Sequence, residues 1–223
     1  MNISDLENKI INADCLDILK QLPDKCIDLV LTDPPYGIGF GTFNRTNKLK
    51  NGQRVKADKY KNSDWDSEIP HEEIFKEIFR VSKNQIILGG NYFPELWKHG
   101  GRGFIFWKKN NPCANFGAGE LAWTSFDMNC KCYDYNYYGN IEGNGKATEK
   151  IHPTQKPLEI MKRCIFEHSK EGDLIADFFS GSGTTAVACW ELTRKFICVE
   201  KDFDYWKASC KRLEDHQRQG VLF

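Results

Sequence analysis

The chain has 223 residues, with 31 Lys and Arg against 31 Asp and Glu, 40% hydrophobic and 28% charged. That is room for one sizeable domain with its own core and is ordinary for a soluble globular protein. No apolar run is long enough to span a bilayer, and Met1-Asn2-Ile3-Ser4-Asp5 lacks the basic-then-apolar pattern of a signal peptide, so no membrane partner is expected and the expected location is cytoplasmic.

Residues 9–13 form a short apolar strand. The spacing of Leu16, Leu19 and Leu22 predicts a helix over 14–22, stopped by Pro23. Residues 27–32 read as a continuous buried strand running into Asp33. Residues 37–64, rich in Gly, Asn and Lys, read as a long functional loop. Pro70 opens a helix with the apolar face Ile74, Phe75, Ile78, Phe79 and Val81, and a strand over 85–88 ends in Gly89-Gly90-Asn91. A short helix over 93–98 and strands over 104–107 and 121–126 follow, then an irregular insert at 127–150. The remainder alternates: helix 157–169, strand 174–178, helix 184–192, strand 195–199 and helix 202–217.

Alternating strands and helices predict an α/β fold with a doubly wound, mostly parallel sheet and right-handed crossovers. Ligands in such sheets bind beyond the carboxyl ends of the strands, where the strand order reverses. Asp33, Gly89-Gly90-Asn91, Asp177 and Glu200 all fall at or just past predicted strand ends, so they are expected on one rim.

Asp177-Phe178-Phe179-Ser180-Gly181-Ser182-Gly183-Thr184-Thr185 follows a strand and opens a helix, and Glu200 ends the next strand. Glycines let the backbone approach a ligand, and an acid about 20 residues beyond suits ribose hydroxyls. A dinucleotide would require a third glycine where Ala186 stands. The loop better suits S-adenosyl-L-methionine, which has no phosphate to cradle. Only one helix and a tail follow Glu200, so the strand needed beyond that helix must come from residues 9–13. The chain is then a circular permutation, with Asp14 placed to accept from the adenine amino group of the cofactor.

Asp33-Pro34-Pro35-Tyr36 suits methylation of a base amine, whose lone pair is delocalised into the ring. Asp33 can accept one amino hydrogen, and the Pro34 carbonyl the other, with the two prolines stiffening the turn. Tyr36 offers a face for a base flipped out of the duplex.

These motifs, with His152-Pro153-Thr154-Gln155-Lys156-Pro157 between them, resemble those of the beta-class DNA amino-methyltransferases, and the resemblance covers nearly the whole chain. It implies a single methyltransferase domain over 1–223 with a circularly permuted, seven-stranded Rossmann-like sheet, a basic loop at 41–64 and a short target-recognition insert at 127–150. It implies methyl transfer from S-adenosyl-L-methionine to adenine N6 in double-stranded DNA, as in restriction-modification. By the same resemblance His152 helps close the cofactor pocket, Lys156 and Thr184 face the methionine carboxylate, Phe179 and Gly181 border the cofactor, and Glu200 holds the ribose. Asp177, Phe178, Ser182, Gly183 and Thr185 complete that motif, and Asp14 and Cys15 match the family's acid-plus-cysteine opening. Phe178 stands where the family usually has proline. The resemblance leaves open a homodimer and a cognate restriction endonuclease as partners.

Zero net charge hides an uneven distribution. Arg45, Lys48, Lys50, Arg54, Lys56, Lys59 and Lys61 lie in a stretch with one acid, Asp58, and Lys108 and Lys109 lie in an acid-free stretch. Both groups are candidate DNA contacts, because a local patch steers phosphates whatever the total charge. Cys130 and Cys132 have no partner pair at finger spacing, so no metal site is expected. The nine cysteines are expected to be reduced. Cytosine N4 methylation uses the same two acceptors, but aspartate at position 33 tilts toward adenine. Carbon-5 methylation would need Cys113 as a nucleophile and lacks partner motifs. A nicotinamide-dependent oxidoreductase would leave Asp33-Pro34-Pro35-Tyr36 unexplained, and a non-enzymatic DNA-binding module would not need Asp33 and Glu200.

Overall fold

A computed structural model describes residues 2–39, 65–111, 117–138, 141–143, 146–147 and 150–220. The strands are β1 (Lys9–Asn12), β2 (Ile27–Thr32), β3 (Ser82–Leu88), β4 (Phe104–Lys108), β5 (Gly119–Thr124), β6 (Lys131–Asp134), β7 (Tyr137–Tyr138), β8 (Ile141–Glu142), β9 (Lys146–Ala147), β10 (Leu174–Asp177) and β11 (Lys195–Glu200). The helices are α1 (Cys15–Leu19), α2 (Glu72–Val81), α3 (Pro94–Trp97), α4 (Leu158–His168), α5 (Thr184–Glu191) and α6 (Phe203–Gly220).

Local chemistry explains where these elements begin. Asp14 caps α1, its Oδ1 accepting from the Leu16 N–H at 3.0 Å. His71 caps α2, Glu72 and Glu73 occupy its first turn and Arg80 its last, an arrangement that suits the helix dipole. One stripe of α2, Phe75, Ile78 and Val81, is buried. In the central strands, neighbouring residues feed different cores. Leu29, Leu31, Phe196 and Cys198 enter a cluster with α4 and α5, whereas Val30, Ile197 and Val199 enter a cluster with α1 and α2. Both faces of the sheet are therefore covered, which is why β2 reads as an unbroken apolar run.

The main sheet has the order β1-β11-β10-β2-β3-β5-β4-β6. From β2 the chain steps outward to β3, and from β10 it steps the other way to β11. β10 and β2 are parallel neighbours, with Ile175 opposite Leu29 and Ala176 opposite Val30, so the order reverses between them. β1 lies parallel to β11 on its outer side, Ile10 opposite Cys198, as the permuted wiring requires. β5 runs antiparallel to β3 and β4, whereas β6 runs parallel to β4.

The sheet has eight strands, one more than expected. The extra strand, β6, and the small sheet β7-β8-β9 come from the stretch 127–150, which reads as irregular in the sequence. Only Tyr133 of β6 is buried, and four residues are too few for a period of two to stand out.

At the reversal, Thr32 Oγ1 donates to Asp177 Oδ1 at 2.7 Å, and both residues are buried. Thr32→Val keeps the shape and strips that donor from a buried carboxylate. Urea denaturation should show a loss of about 1–3 kcal/mol, and an unchanged midpoint would show that the bond contributes nothing.

Candidate active site at the strand reversal

Asp33 continues directly from β2, and the turn after it is held by Asp66. The Asp66 carboxylate is buried and its Oδ1 accepts from the Tyr36 N–H at 2.6 Å and the Gly37 N–H at 3.1 Å. The Tyr36 phenol donates to Asp33 Oδ1 at 2.6 Å. Its ring stacks on Tyr92, with centroids 4.6 Å apart and planes 10° apart, and meets the edge of Phe93. Gly89 has φ of +66°, and a Cβ there would lie 2.1 Å from the Tyr36 ring, so the turn after β3 must be glycine for Tyr36 to fit. The open face expected of Tyr36 is thus covered by Tyr92. The other Asp33 oxygen, Oδ2, is bonded by the Lys156 ammonium.

A cavity of about 440 Å³ opens beside this corner. Asp33 and Pro35 line it from one half of the fold. Asp177, Phe178, Phe179, Gly181, Ser182, Thr184, Thr185 and Glu200 line it from the other half, together with Asp14, Cys15, His152 and Lys156. Pro34, Tyr36 and Gly183 are not among its lining residues. Gly183 acts from behind. It caps α5 with φ of +70°, and a Cβ there would come within 2.9 Å of Ser209 Cβ.

The acids of this rim are engaged by their own scaffold. Glu200 Oε2 accepts from the Gly181 N–H at 2.7 Å, and Oε1 accepts from the Asp202 N–H at 2.8 Å. Each oxygen keeps a second lone pair, so the carboxylate can still accept from a pair of ligand hydroxyls. Asp177 is spent on the fold, accepting from Thr32, from the Phe179 N–H at 3.1 Å and from Thr185 Oγ1 at 2.5 Å. Asp14 caps α1 and pairs through Oδ2 with Lys201 at 2.9 Å, although it lines the cavity as expected. Cys15 is buried, and burial pushes its thiol up to about 12, which makes it an inert part of the wall.

The lining suits a nucleoside-like ligand with few charges. It combines the aromatic side chains Trp65, Phe179 and Tyr205 with Glu200 and with Ser180, whose buried hydroxyl has no hydrogen-bond partner. Among the described residues, no group of three or more His, Cys, Asp or Glu could hold a metal ion.

Burial raises the Asp33 pKa, and the Lys156 ammonium opposes that rise. Burial disfavours the Lys156 charge, but the carboxylates of Asp33 and Glu120 outweigh it and raise the lysine's pKa. Burial pushes Asp177 up to about 6 against its three hydrogen bonds. His152 goes the other way, down to about 4, chiefly through burial and then through the nearby Lys156 charge.

The expected DNA contacts divide. Arg45, Lys48, Lys50, Arg54, Lys56, Lys59 and Lys61 lie outside the described residues. Lys108 is half exposed and pairs with Asp134 at 3.1 Å. The Lys109 ammonium bonds Glu120 and lies 4.7 Å from the centre of the Trp107 ring.

Four residues of the site stand outside the sequence motifs: Thr32, Asp66 and Arg212, which carry no signal of their own, and Glu120. Thr32 looks like one more β-branched strand residue. Asp66 is separated by 29 residues from the turn that it holds. Glu120 is an acid inside an apolar strand pattern, the one sign that marked it. Arg212 donates from Nη1 to the Ser182 carbonyl at 3.0 Å and to Thr184 Oγ1 at 2.9 Å, bracing the glycine loop from α6.

His152 packs edge-on to Tyr205 at 4.3 Å and lies beside Trp65 at 5.2 Å, both of which line the cavity. Its folded pKa of about 4 lies below the unfolded value of 6.5. As pH falls from 6.5 the unfolded chain binds a proton that the folded chain refuses, so stability declines until about pH 4, by up to about 3 kcal/mol. Asp177 contributes with the opposite sign over part of that range, so the informative comparison is between two proteins. His152→Gln should flatten the decline between pH 6.5 and 4 in urea denaturation. Parallel pH profiles for the variant and the parent would show that His152 is not held neutral.

A family model described as DNA methylase matches residues 123–211. The type II methyltransferase M2.LlaDCHI of Lactococcus lactis subsp. cremoris is 30% identical, over 96% of this chain and 93% of its own. The type II methyltransferase M2.DpnII of Streptococcus pneumoniae is 29% identical, over 92% and 89%. Among solved structures, the M1.HpyAVI–SAM complex superposes with a TM-score of 0.57 at 26% identity, over 92% of this chain and 99% of that one. The cytosine-N4-specific PvuII DNA methyltransferase reaches a TM-score of 0.60 at 15% identity, over 95% and 91%, a likeness of fold. Asp33 and Pro35 share one cavity with the glycine loop in a chain with relatives of this kind, and the chain belongs to the beta-class DNA amino-methyltransferases.

Proposed function

We propose that the protein methylates the exocyclic N6 amine of adenine in double-stranded DNA, taking the methyl group from S-adenosyl-L-methionine after the target base is flipped out. The observation that carries this reading is the shared cavity: Asp33, from the end of β2, lines the same space as the glycine loop and Glu200. One structural relative, M1.HpyAVI, was solved as a complex with SAM, which supports the choice of cofactor.

S-adenosyl-L-methionine supplies, when bound, an electrophilic methyl whose carbon–sulfur bond breaks with its electron pair left on sulfur. Glu200 would hold its ribose, and Lys156 and Thr184 its methionine end. Asp33 accepts one hydrogen of the target amine and the Pro34 carbonyl the other, which returns lone-pair density to nitrogen. The amine sheds one proton as its new bond to carbon forms, and Asp33 takes that proton. A carboxyl with a burial-raised pKa suits this task better than an ordinary one. Most of the acceleration comes from placement and charge complementarity. For the base to stack on Tyr36, Tyr92 must give way.

Affinity for the duplex is assigned to Arg45, Lys48, Lys50, Arg54, Lys56, Lys59 and Lys61, with Lys108 contributing. The insert 127–150 is the candidate for target recognition. No helix among the described residues is long and apolar enough to cross a membrane. The type II names of the relatives suggest a cognate restriction endonuclease.

Treating unmethylated DNA with the protein and digesting it to nucleosides tests the reading. Mass spectrometry should find N6-methyladenine. Asp33→Ala should cut its formation by about 100-fold or more while calorimetric affinity for S-adenosyl-L-methionine stays within a few fold. N4-methylcytosine as the product would move the assignment to cytosine, and a fully active Asp33→Ala would remove the mechanism.

A further inference from the structure

In the structure both oxygens of Asp33 are engaged. Its Oδ1 accepts from the Tyr36 phenol at 2.6 Å and its Oδ2 from the Lys156 ammonium. Each oxygen keeps a second lone pair, but an amine that approaches either one meets the donor already there. Tyr36 is clamped between Tyr92, Phe93 and the Asp66-held backbone, so it has little freedom to leave. Lys156 sits on a flexible stem, but its side chain is only 9% exposed, and a buried ammonium cannot give up a carboxylate without finding another.

A second carboxylate stands beside it. Glu120 Oε1 is bonded by Lys109, whereas Glu120 Oε2 is buried and accepts no hydrogen bond. That oxygen lies 3.6 Å from Lys156 Nζ, so a shift of under about 1 Å would bring the pair to hydrogen-bond length. Lys109 and the β4–β5 register, which sets Trp107 opposite Glu120, hold the acceptor in place. The two groups already form an ion pair, short of a hydrogen bond, so Glu120 is poised to take more of the Lys156 charge.

We propose that Glu120 is a positioning residue that draws Lys156 off Asp33 when the target amine arrives. Lys156 then has two stations, Asp33 in the free protein and Glu120 in the reacting complex. The exchange moves no covalent bond and keeps two ammonium groups matched to two carboxylates throughout. It frees Asp33 Oδ2 for the amine hydrogen and removes a cation from beside the nitrogen that must become nucleophilic. The inference rests on the amino-methyltransferase reading above and adds a residue to it.

Glu120→Gln leaves Asp33 as the one carboxylate within ion-pair range of Lys156 among the described residues. The expected result is a kcat lower by about 10- to 100-fold, with calorimetric affinity for S-adenosylhomocysteine within about two-fold of the parent. Glu120→Asp, which keeps the charge, should recover part of the loss. Unchanged kcat in Glu120→Gln overturns the proposal. So does a loss of kcat, cofactor affinity and melting temperature in step, without recovery by Glu120→Asp, which would mark Glu120 as structural. If Glu120→Gln does not fold, the parent protein answers. A crystal structure with S-adenosylhomocysteine and a duplex carrying the mapped target should show Lys156 bonded to Glu120 and off Asp33. Lys156 still on Asp33 with the base amine in place overturns the proposal. A parent protein that methylates no base refutes the function itself, whereas an active parent matched by Glu120→Gln refutes this inference alone.

Discussion

One hydrogen bond crosses the place where the sheet changes direction, from the Thr32 hydroxyl on β2 to the Asp177 carboxylate on β10. Two of the functional stretches begin directly beyond it. Asp33 follows Thr32, and the glycine loop follows Asp177. Parallel strands that diverge from a common line leave a crevice at their carboxyl ends, and the two motifs form the lips of that crevice because each begins where its strand stops. Asp177 therefore touches the cofactor half of the cavity while serving the fold. Its pKa of about 6 reflects the cost of burying a carboxylate to fix that junction.

The second constraint is electrostatic. Asp33, Glu120, Lys109 and Lys156 form a buried cluster in which no charge is far from its opposite. Such clusters contribute little net stability but strongly limit how their members can move. Here the limit is useful, since it allows Asp33 to be neutralised in the resting protein and released by a small lysine movement. Tyr36 and Tyr92 form an aromatic counterpart to this arrangement, one ring covering the other.

What could be read from the sequence follows the range of the physics. The buried run of β2, the turn after it, the glycine loop and the acid ending β11 are local patterns. The permuted wiring followed from counting strands, and the pairing of Ile10 with Cys198 bears it out. The eighth strand did not announce itself, because β6 has four residues and one buried side chain. Lys109 lies in a stretch without acids, and its ion pair with Glu120, eleven residues on and across a hairpin, could not be read from that stretch. The coverage of Tyr36 by Tyr92 was equally out of reach, since it depends on where β3 ends relative to β2 and on a glycine at position 89 that lets the ring approach.

One spatial relation underlies the whole mechanism: the acid corner and the nucleoside pocket serve a single ligand assembly. A crystal structure of the protein with S-adenosylhomocysteine tests it most directly. The expected complex has ligand hydroxyls on Glu200, the sulfur on the side of the cavity that Asp33 lines, and the amino-acid end toward Lys156 and Thr184. A ligand bound away from Glu200, or one whose sulfur faces away from Asp33, would contradict it.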